Sequence, residues 1–427
     1  MSALAKLVKT FGYEVSGSDG VRNEETENLA FYGVCVRIGI NEEDPRLLGA
    51  DVVVYTDAIP KEHKELQKAI ALKKRLYTRG EFLAIIARGY EKVITVAGSH
   101  GKTTCTSICA HIFKGLGVPF TAHIGGEDSA LGNFYTSGKD FFVSEACEYK
   151  KNLLKLHSDV AILLNIDKDH MECYRDERDL RDCFAAYCKN AQTAFVCADD
   201  FACRSLGEFA TFGIDNVCSD YRATKIKALQ NGYSFLVEEY GKELCRVKLN
   251  AVGKHNIYNA LAAFAATRSL GFGEKEILHG LQAFTAVKRR FERIGRYNGA
   301  NFICDYAHHP KEITATVKTA KEFCRGELYV VFQPHTYSRT KLLLNEFVES
   351  LKPIKNLLIY KTFSAREKYD EEGSALRLAE TVECLYAENI CALKTWLQKT
   401  VCEGDVVLFL GAGDIYYAAQ YLLKDLC

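Results

Sequence analysis

The sequence predicts an α/β chain of three domains, and three observations carry that prediction. Val93-Ile-Thr-Val-Ala-Gly98-Ser-His-Gly101-Lys102-Thr103-Thr104 joins a β-branched run to a glycine-rich turn, then to a helical pattern at Ile108, Ile112 and Phe113. Strand-sized apolar runs alternate with helical patterns along most of the chain, the signature of a mostly parallel, helix-covered sheet. The length, 427 residues, suits about three domains.

Residues 1–89 read as a Rossmann-like first domain. Ser2–Phe11 is predicted helical, Tyr13–Ser16 a short strand, Val52–Tyr55 a buried strand and Glu62–Lys74 an amphipathic helix. Residues 90–292 read as a central domain with strands at Val93–Ala97, Phe141–Val143, Val160–Asn165 and Ala194–Val196. Within it, Tyr233–Glu238 and Leu244–Leu249 flank Gly241 and read as an antiparallel pair. Residues 293–427 alternate again, with strands at Phe302–Cys304, Leu328–Phe332, Leu357–Tyr360 and Val406–Leu410. Gly411-Ala-Gly413-Asp414 follows the last of these and opens a helix, a second Rossmann-like setting with a candidate anion site.

Composition narrows the class. The 55 basic and 55 acidic residues cancel, and no basic stripe stands out, so nucleic acid and membrane surfaces are not favoured as partners. No apolar run spans a bilayer, and the N-terminus carries no signal-peptide pattern, so a cytoplasmic location is expected. The 17 cysteines are scattered without a Cys-x-x-Cys, which fits free thiols in a reducing compartment.

The glycine turn carries the chemistry. Backbone N–H groups of such a turn and the N-terminus of the next helix cradle anions. Lys102 would reach the β- and γ-phosphates, and the Thr103 hydroxyl would sit on Mg²⁺. The strict motif wants a further glycine where Val96 stands, so the match is the shorter G-x-x-G-K-T; alone, it is also explained by a capped glycine turn. Functional residues of open α/β sheets gather at the carboxyl ends of strands. Here those ends carry Glu145 with Glu148 close behind, then Asp167, Asp169 and His170, then Asp305 with His308 and His309. Glu145 with Thr103 would supply one Mg²⁺ site, and His170 would reach a second; read singly, these are solvated strand ends and Asp-capped turns. Asn256 and Asn259 share a helix face and suit the edge of a base, or simple capping. Lys288-Arg289-Arg290-Phe291 reads as a polyphosphate clamp or as a solvated basic face. Arg339 could fork onto a carboxylate.

Together the motifs resemble the Mur ligase family. They are Gly98–Thr104, Asn165–His170, His255–Ala260, Lys288–Phe291, Asp305–Pro310, Phe332–Thr340 and Gly411–Ile415, in the family's order over nearly the whole chain. The resemblance implies a UDP-sugar domain, an ATPase domain and an amino-acid domain, all α/β. It implies an ATP-dependent amide bond: the lactyl carboxylate of UDP-N-acetylmuramate attacks the γ-phosphate, and the amine of L-alanine then attacks the acyl phosphate. Attachment of a preformed peptide to the same sugar, or catalytically silent nucleotide binding, are the alternatives. Carried over by position, Gly98, Ser99, His100, Gly101, Lys102, Thr103, Thr104, Asn256, Asn259, Arg290 and Asp305 hold ATP. Thr103, Glu145 and His170 hold Mg²⁺. Lys102, His170, Arg290 and Asp305 act in catalysis, and Asp19, Tyr306, His308 and Arg339 bind the substrates. The partners expected are these small molecules, on a monomer or homodimer. Two departures stand out. Thr336 occupies a position where some members have a second arginine. The family's opening strand and Gly-x-Gly-Gly-x-Gly loop would fall before Met1, so the first domain is expected to be incomplete.

Overall fold

The computed structural model describes residues 1–426. They form two compact units: Met1–Ala251 with Asn256–Thr285, and Val252–His255 with the chain from Ala286 onward.

The first unit is built on a ten-stranded sheet. Its centre is the strand Lys92–Ala97, paired in parallel with Phe141–Glu145 on one side and Val160–Leu163 on the other. Val93, Ile94, Val96 and Ala97 are all buried, as befits a parallel strand covered on both faces. The parallel run continues through Thr193–Cys197, Ala210–Gly213 and Tyr221–Leu229 on one side and to Phe120–Asp128 on the other. Antiparallel strands close both edges: Gly232–Glu239 and Lys242–Leu249 at one, Gly132–Thr136 at the other.

The helix Lys102–Leu116 leaves the central strand through the glycine loop and is buried along most of its length. It meets the helix Glu274–Ala283 at two glycines. A Cβ on Gly115 would stand 2.6 Å from the Gly280 Cα, so only glycine permits this approach. The N-terminal helix Ser2–Thr10 buries Ala3, Leu4 and Leu7 in one core with Leu83, Ala84, Ala87, Val93 and Phe142. At about 1.5–3 kcal/mol for a fully buried leucine, Leu4 and Leu7 are substantial anchors for that segment.

The first 78 residues contain two separate parallel strand pairs, Ser16–Asp19 with Cys35–Ile38 and Val52–Tyr55 with Arg75–Thr78. The strand expected at Tyr13–Ser16 runs instead over Ser16–Asp19. Its residues, Ser-Gly-Ser-Asp, have no apolar pattern and are all exposed, so periodicity could not locate it.

The second unit holds a six-stranded sheet in the order Glu292–Tyr297, Ala300–Asp305, Val406–Leu410, Leu328–Phe332, Asn356–Tyr360, Leu385–Ala387. Only the first pairing is antiparallel. Side chains alternate between two cores. Val330, Phe332, Val406, Leu408 and Leu410 face one, and Val331, Val407 and Phe409 face the other. Among the described residues every cysteine is a free thiol, and no helix is long and apolar enough to cross a membrane.

Candidate active site

In the first unit the loop Gly98–Gly101 ends the central strand, and helical structure begins at Lys102. Gly98 and Gly101 have φ of +136° and +86°, a region that side chains rarely adopt. A Cβ on Gly101 would also lie 2.8 Å from the Asn259 Oδ1. Asn259 therefore packs against the glycine loop, while its Nδ2 donates to the Asn256 Oδ1 at 3.0 Å. Gly101→Ala is expected to cost about 1–2 kcal/mol of stability through left-handed strain, plus the contact with Asn259. Urea unfolding would measure this, and an unchanged midpoint would refute it.

The loop is held by the next strand end. The Asn165 side chain accepts from the His100 N–H at 2.8 Å and donates to the His100 carbonyl at 3.0 Å. The Ser99 hydroxyl accepts from the Asp167 N–H at 2.8 Å, and the His100 ring meets the Asp167 carboxylate at 3.1 Å. The Asn165–His170 motif thus buttresses the loop from beneath.

Lys102 folds over its own loop. Its Nζ donates to the Gly98 carbonyl at 2.6 Å, the Ser99 carbonyl at 3.2 Å and the Glu148 Oε1 at 2.8 Å. Burial is the largest single influence and works against its charge, but Glu148, with Cys147 and Glu145, together outweigh it and hold the ammonium up at about 12. Glu148 is 1% exposed, and its second oxygen, Oε2, has no hydrogen-bond partner. One ligand atom each from Glu148, Asp169 and His170 can be chosen so that all lie within 4.8 Å of one another. Two carboxylates and an imidazole, with an orphaned buried oxygen among them, fit a divalent cation.

This arrangement differs from the expected metal set in its acid. Glu145 stands outside that group, and its carboxylate accepts from the Gly125 N–H at 2.7 Å. Thr103 and Thr104 are buried in the first turn of the helix beside Lys102. Spacing alone assigns no role to Glu148 or Asp169. The spacing Glu145-x-x-Glu148 was the available signal, and only the loop's path shows which acid turns toward Lys102. Asp19 lies at the exposed end of its strand, accepting from the Val21 N–H at 3.1 Å.

In the second unit Asp305 ends its strand and is bound on both oxygens, by the Phe291 N–H at 2.7 Å and the Ala307 N–H at 2.8 Å. Burial pushes its carboxyl up to about 6, against the pull of Arg290 and these N–H groups. Arg289 and Arg290 both lie over the Tyr306 ring, at 4.7 and 4.9 Å. Arg289 also donates to the carbonyls of Gly411 and Gly413, at 3.0 and 2.8 Å. The Gly411–Gly413 turn thus offers acceptors to a cation of its own chain, which weighs against the candidate anion site there. Arg339 donates to the His335 carbonyl at 3.2 Å, and the His308 and His335 rings meet edge to face at 5.9 Å. Burial first, and Arg339 second, bring His335 down to about 4, so it is neutral at pH 7.

The elevated Asp305 has a stability consequence. A carboxyl whose folded pKa lies above its unfolded value of 3.8 destabilises the fold as it ionises. That loss begins near pH 3.8 and is complete above about pH 6. Asp305→Asn removes it. Relative to the parent, the variant is expected to gain about 2 kcal/mol of unfolding free energy between pH 4.5 and pH 7. A constant difference across that range would contradict the assignment.

Comparison with known proteins bears on the whole chain. Residues 1–91 match the Mur ligase family, catalytic domain; residues 96–267 the Mur ligase middle domain; and residues 289–413 the Mur ligase, glutamate ligase domain. The UDP-N-acetylmuramate–L-alanine ligase of Caldicellulosiruptor bescii is 35% identical, over 99% of this chain and 96% of that protein. The protein of the same name from Clostridium acetobutylicum is 36% identical, over 99% and 95%. The crystal structure of the UDP-N-acetylmuramate–alanine ligase of Thermotoga maritima superimposes with a TM-score of 0.86 at 27% identity, covering 100% of this chain and 96% of that one.

Proposed function

The chain belongs to the Mur ligase family, and from that premise we propose that it joins L-alanine to the lactyl carboxylate of UDP-N-acetylmuramate at the expense of ATP. The observation that carries the ATP half is Lys102, bridging the glycine loop and Glu148 beside a cluster suited to a divalent cation. The domains would be residues 1–89 for the sugar nucleotide, 90–292 for ATP and 293–427 for the amino acid.

A carboxylate does not acylate an amine directly, because oxide would have to leave. A lactyl oxygen therefore attacks the γ-phosphorus, ADP departs, and an acyl phosphate forms. The amine of L-alanine then attacks the acyl carbon, loses a proton, and inorganic phosphate leaves with the C–O bond. The first step brings two anions together, so fixed positive charge dominates its barrier. Lys102, kept fully protonated, would lie along the β- and γ-phosphates, with the helix N-terminus facing them. Mg²⁺, when bound, would shield the phosphate oxygens; Glu148, Asp169 and His170 would hold it, with Thr103 and Glu145 as further oxygen donors. Asn256 and Asn259 would face the nucleotide, with Arg290 and Asp305 as its further contacts. Tyr306, His308 and Arg339 would receive the amino acid, Arg339 by its carboxylate. Asp19 would serve the sugar nucleotide.

The test is phosphate release from ATP with UDP-N-acetylmuramate and either L-alanine or an L-alanyl tripeptide. L-Alanine is expected to be the faster acceptor. Faster turnover with the tripeptide would reject the reading. Reactions with glycine and L-serine would set the breadth of the pocket, where discrimination by single small groups is modest.

A further inference from the structure

One cation of the first unit has no counterpart in the roles above. Arg79 begins the helix Arg79–Ala87 and is half-buried. A cation in the first turn opposes the helix macrodipole, and its burial adds a desolvation cost. Among the described residues no carboxylate pairs with it; its one side-chain partner is His123, whose Nε2 meets the Arg79 Nη2 at 3.2 Å. His123 is 1% exposed, and its Nδ1 meets the Ser144 hydroxyl at 3.2 Å. Burial, and then Arg79 itself, hold that imidazole well below its usual pKa, so it is neutral and cancels none of the arginine's charge. His123 takes one of the five guanidinium N–H groups, at Nη2; the second Nη2 N–H, with its neighbour on Nε or Nη1, still makes a two-donor edge of the kind that forks onto a carboxylate.

Its position says which anion. His123 pairs in register with Ser144, and Ser144 with Thr95 of the strand that feeds the phosphate loop. Two strand spacings, about 10 Å, therefore separate the His123 backbone from that strand. The charges of Lys102 and Arg79 both pull against the burial that raises the Cys147 thiol, so both cations lie near it. Arg79 and Lys102 thus both act on the stretch just after the strand Phe141–Glu145, where a carboxylate held by the one would meet a phosphate held by the other.

We propose that Arg79 binds the lactyl carboxylate of the acid substrate through the two-donor edge that His123 leaves free and positions that carboxylate for phosphorylation. His123 and Ser144 hold the guanidinium in place without neutralising it. The inference rests on the function proposed above and deepens it.

The experiment measures equilibrium binding of UDP-N-acetylmuramate and of UDP-N-acetylglucosamine, which has the same nucleotide and sugar but no lactyl group. The parent chain, Arg79→Met and Arg79→Lys are compared, with ATP binding and thermal melting alongside. The parent is expected to prefer the lactyl compound. Arg79→Met should lose about 10- to 100-fold in affinity for it, keep its affinity for UDP-N-acetylglucosamine and keep ATP. Arg79→Lys should fall between. Equal losses for both sugar nucleotides would assign Arg79 to the diphosphate or to structure and overturn the inference while leaving the function standing. So would no loss at all. If Arg79→Met melts early, Arg79→Lys decides by the same comparison. A parent chain that binds neither sugar nucleotide overturns the functional reading and this inference together.

Discussion

Lys102→Ala is expected to lower the ligation rate by about 10³-fold or more while the chain still folds. The ammonium is seated on the glycine loop, with two loop carbonyls and Glu148 as its acceptors. Removing it withdraws the fixed charge that offsets two anions in the phosphoryl step. It also strands the buried Glu148. Leaving one partner of a buried ion pair unpaired costs about 3–5 kcal/mol. Phosphate release and a circular-dichroism melt would be read together. Parental turnover in a folded variant would remove the mechanism; an unfolded variant would show instead that the pair is an essential part of the core.

The strands legible in the sequence were those with a burial pattern. Val52–Tyr55, Leu328–Phe332 and Val406–Leu410 occur with the expected bounds, because each is a compact apolar run between polar turns, although Val52–Tyr55, expected to be buried, is only half-buried throughout. The hairpin Gly232–Leu249 was readable from its turn at Gly241, which takes φ of +75°. Other strands carried no such pattern. Cys35–Ile38 is largely exposed, and Tyr221–Leu229 mixes lysines with alanines because its outer half faces solvent. Their place is set by pairing with neighbours distant in sequence, which no local periodicity records.

The site was legible for the same reason in part and hidden for another. Glycines, Lys102 and the Asn165–His170 run announce themselves, since the loop needs those residue types at fixed spacing. The choice between Glu145 and Glu148 is not written in spacing. It depends on the turn after Phe141–Glu145, where the chain folds so that Glu148 points back at Lys102. Arg79 is harder still. Its meaning lies in what does not surround it, a counter-charge, and that is a property of three dimensions.

The second large effect is expected at Glu148. Glu148→Gln keeps the shape of the side chain and the acceptor for Lys102 but removes the charge. Two consequences separate it from a merely structural change. The cation cluster loses one of its two carboxylates, so half-saturating Mg²⁺ should rise by 10- to 100-fold, about what even an outer-shell change costs a metal site. Lys102 loses the strongest of the neighbours that counter its burial, and burial lowers an ammonium pKa. In the parent the charge of Lys102 persists to about pH 12, so no alkaline loss from this group is expected at working pH. In Glu148→Gln the folded pKa drops, the charge is lost on going up through that lower value, and the alkaline limb of kcat/KM should move toward neutrality. Glu148→Asp, which restores the charge on a shorter arm, should recover part of both effects. A Mg²⁺ requirement and a pH profile both unmoved in Glu148→Gln would mean that Glu148 serves the core alone, and that the cation is held by Glu145 and Thr103 instead.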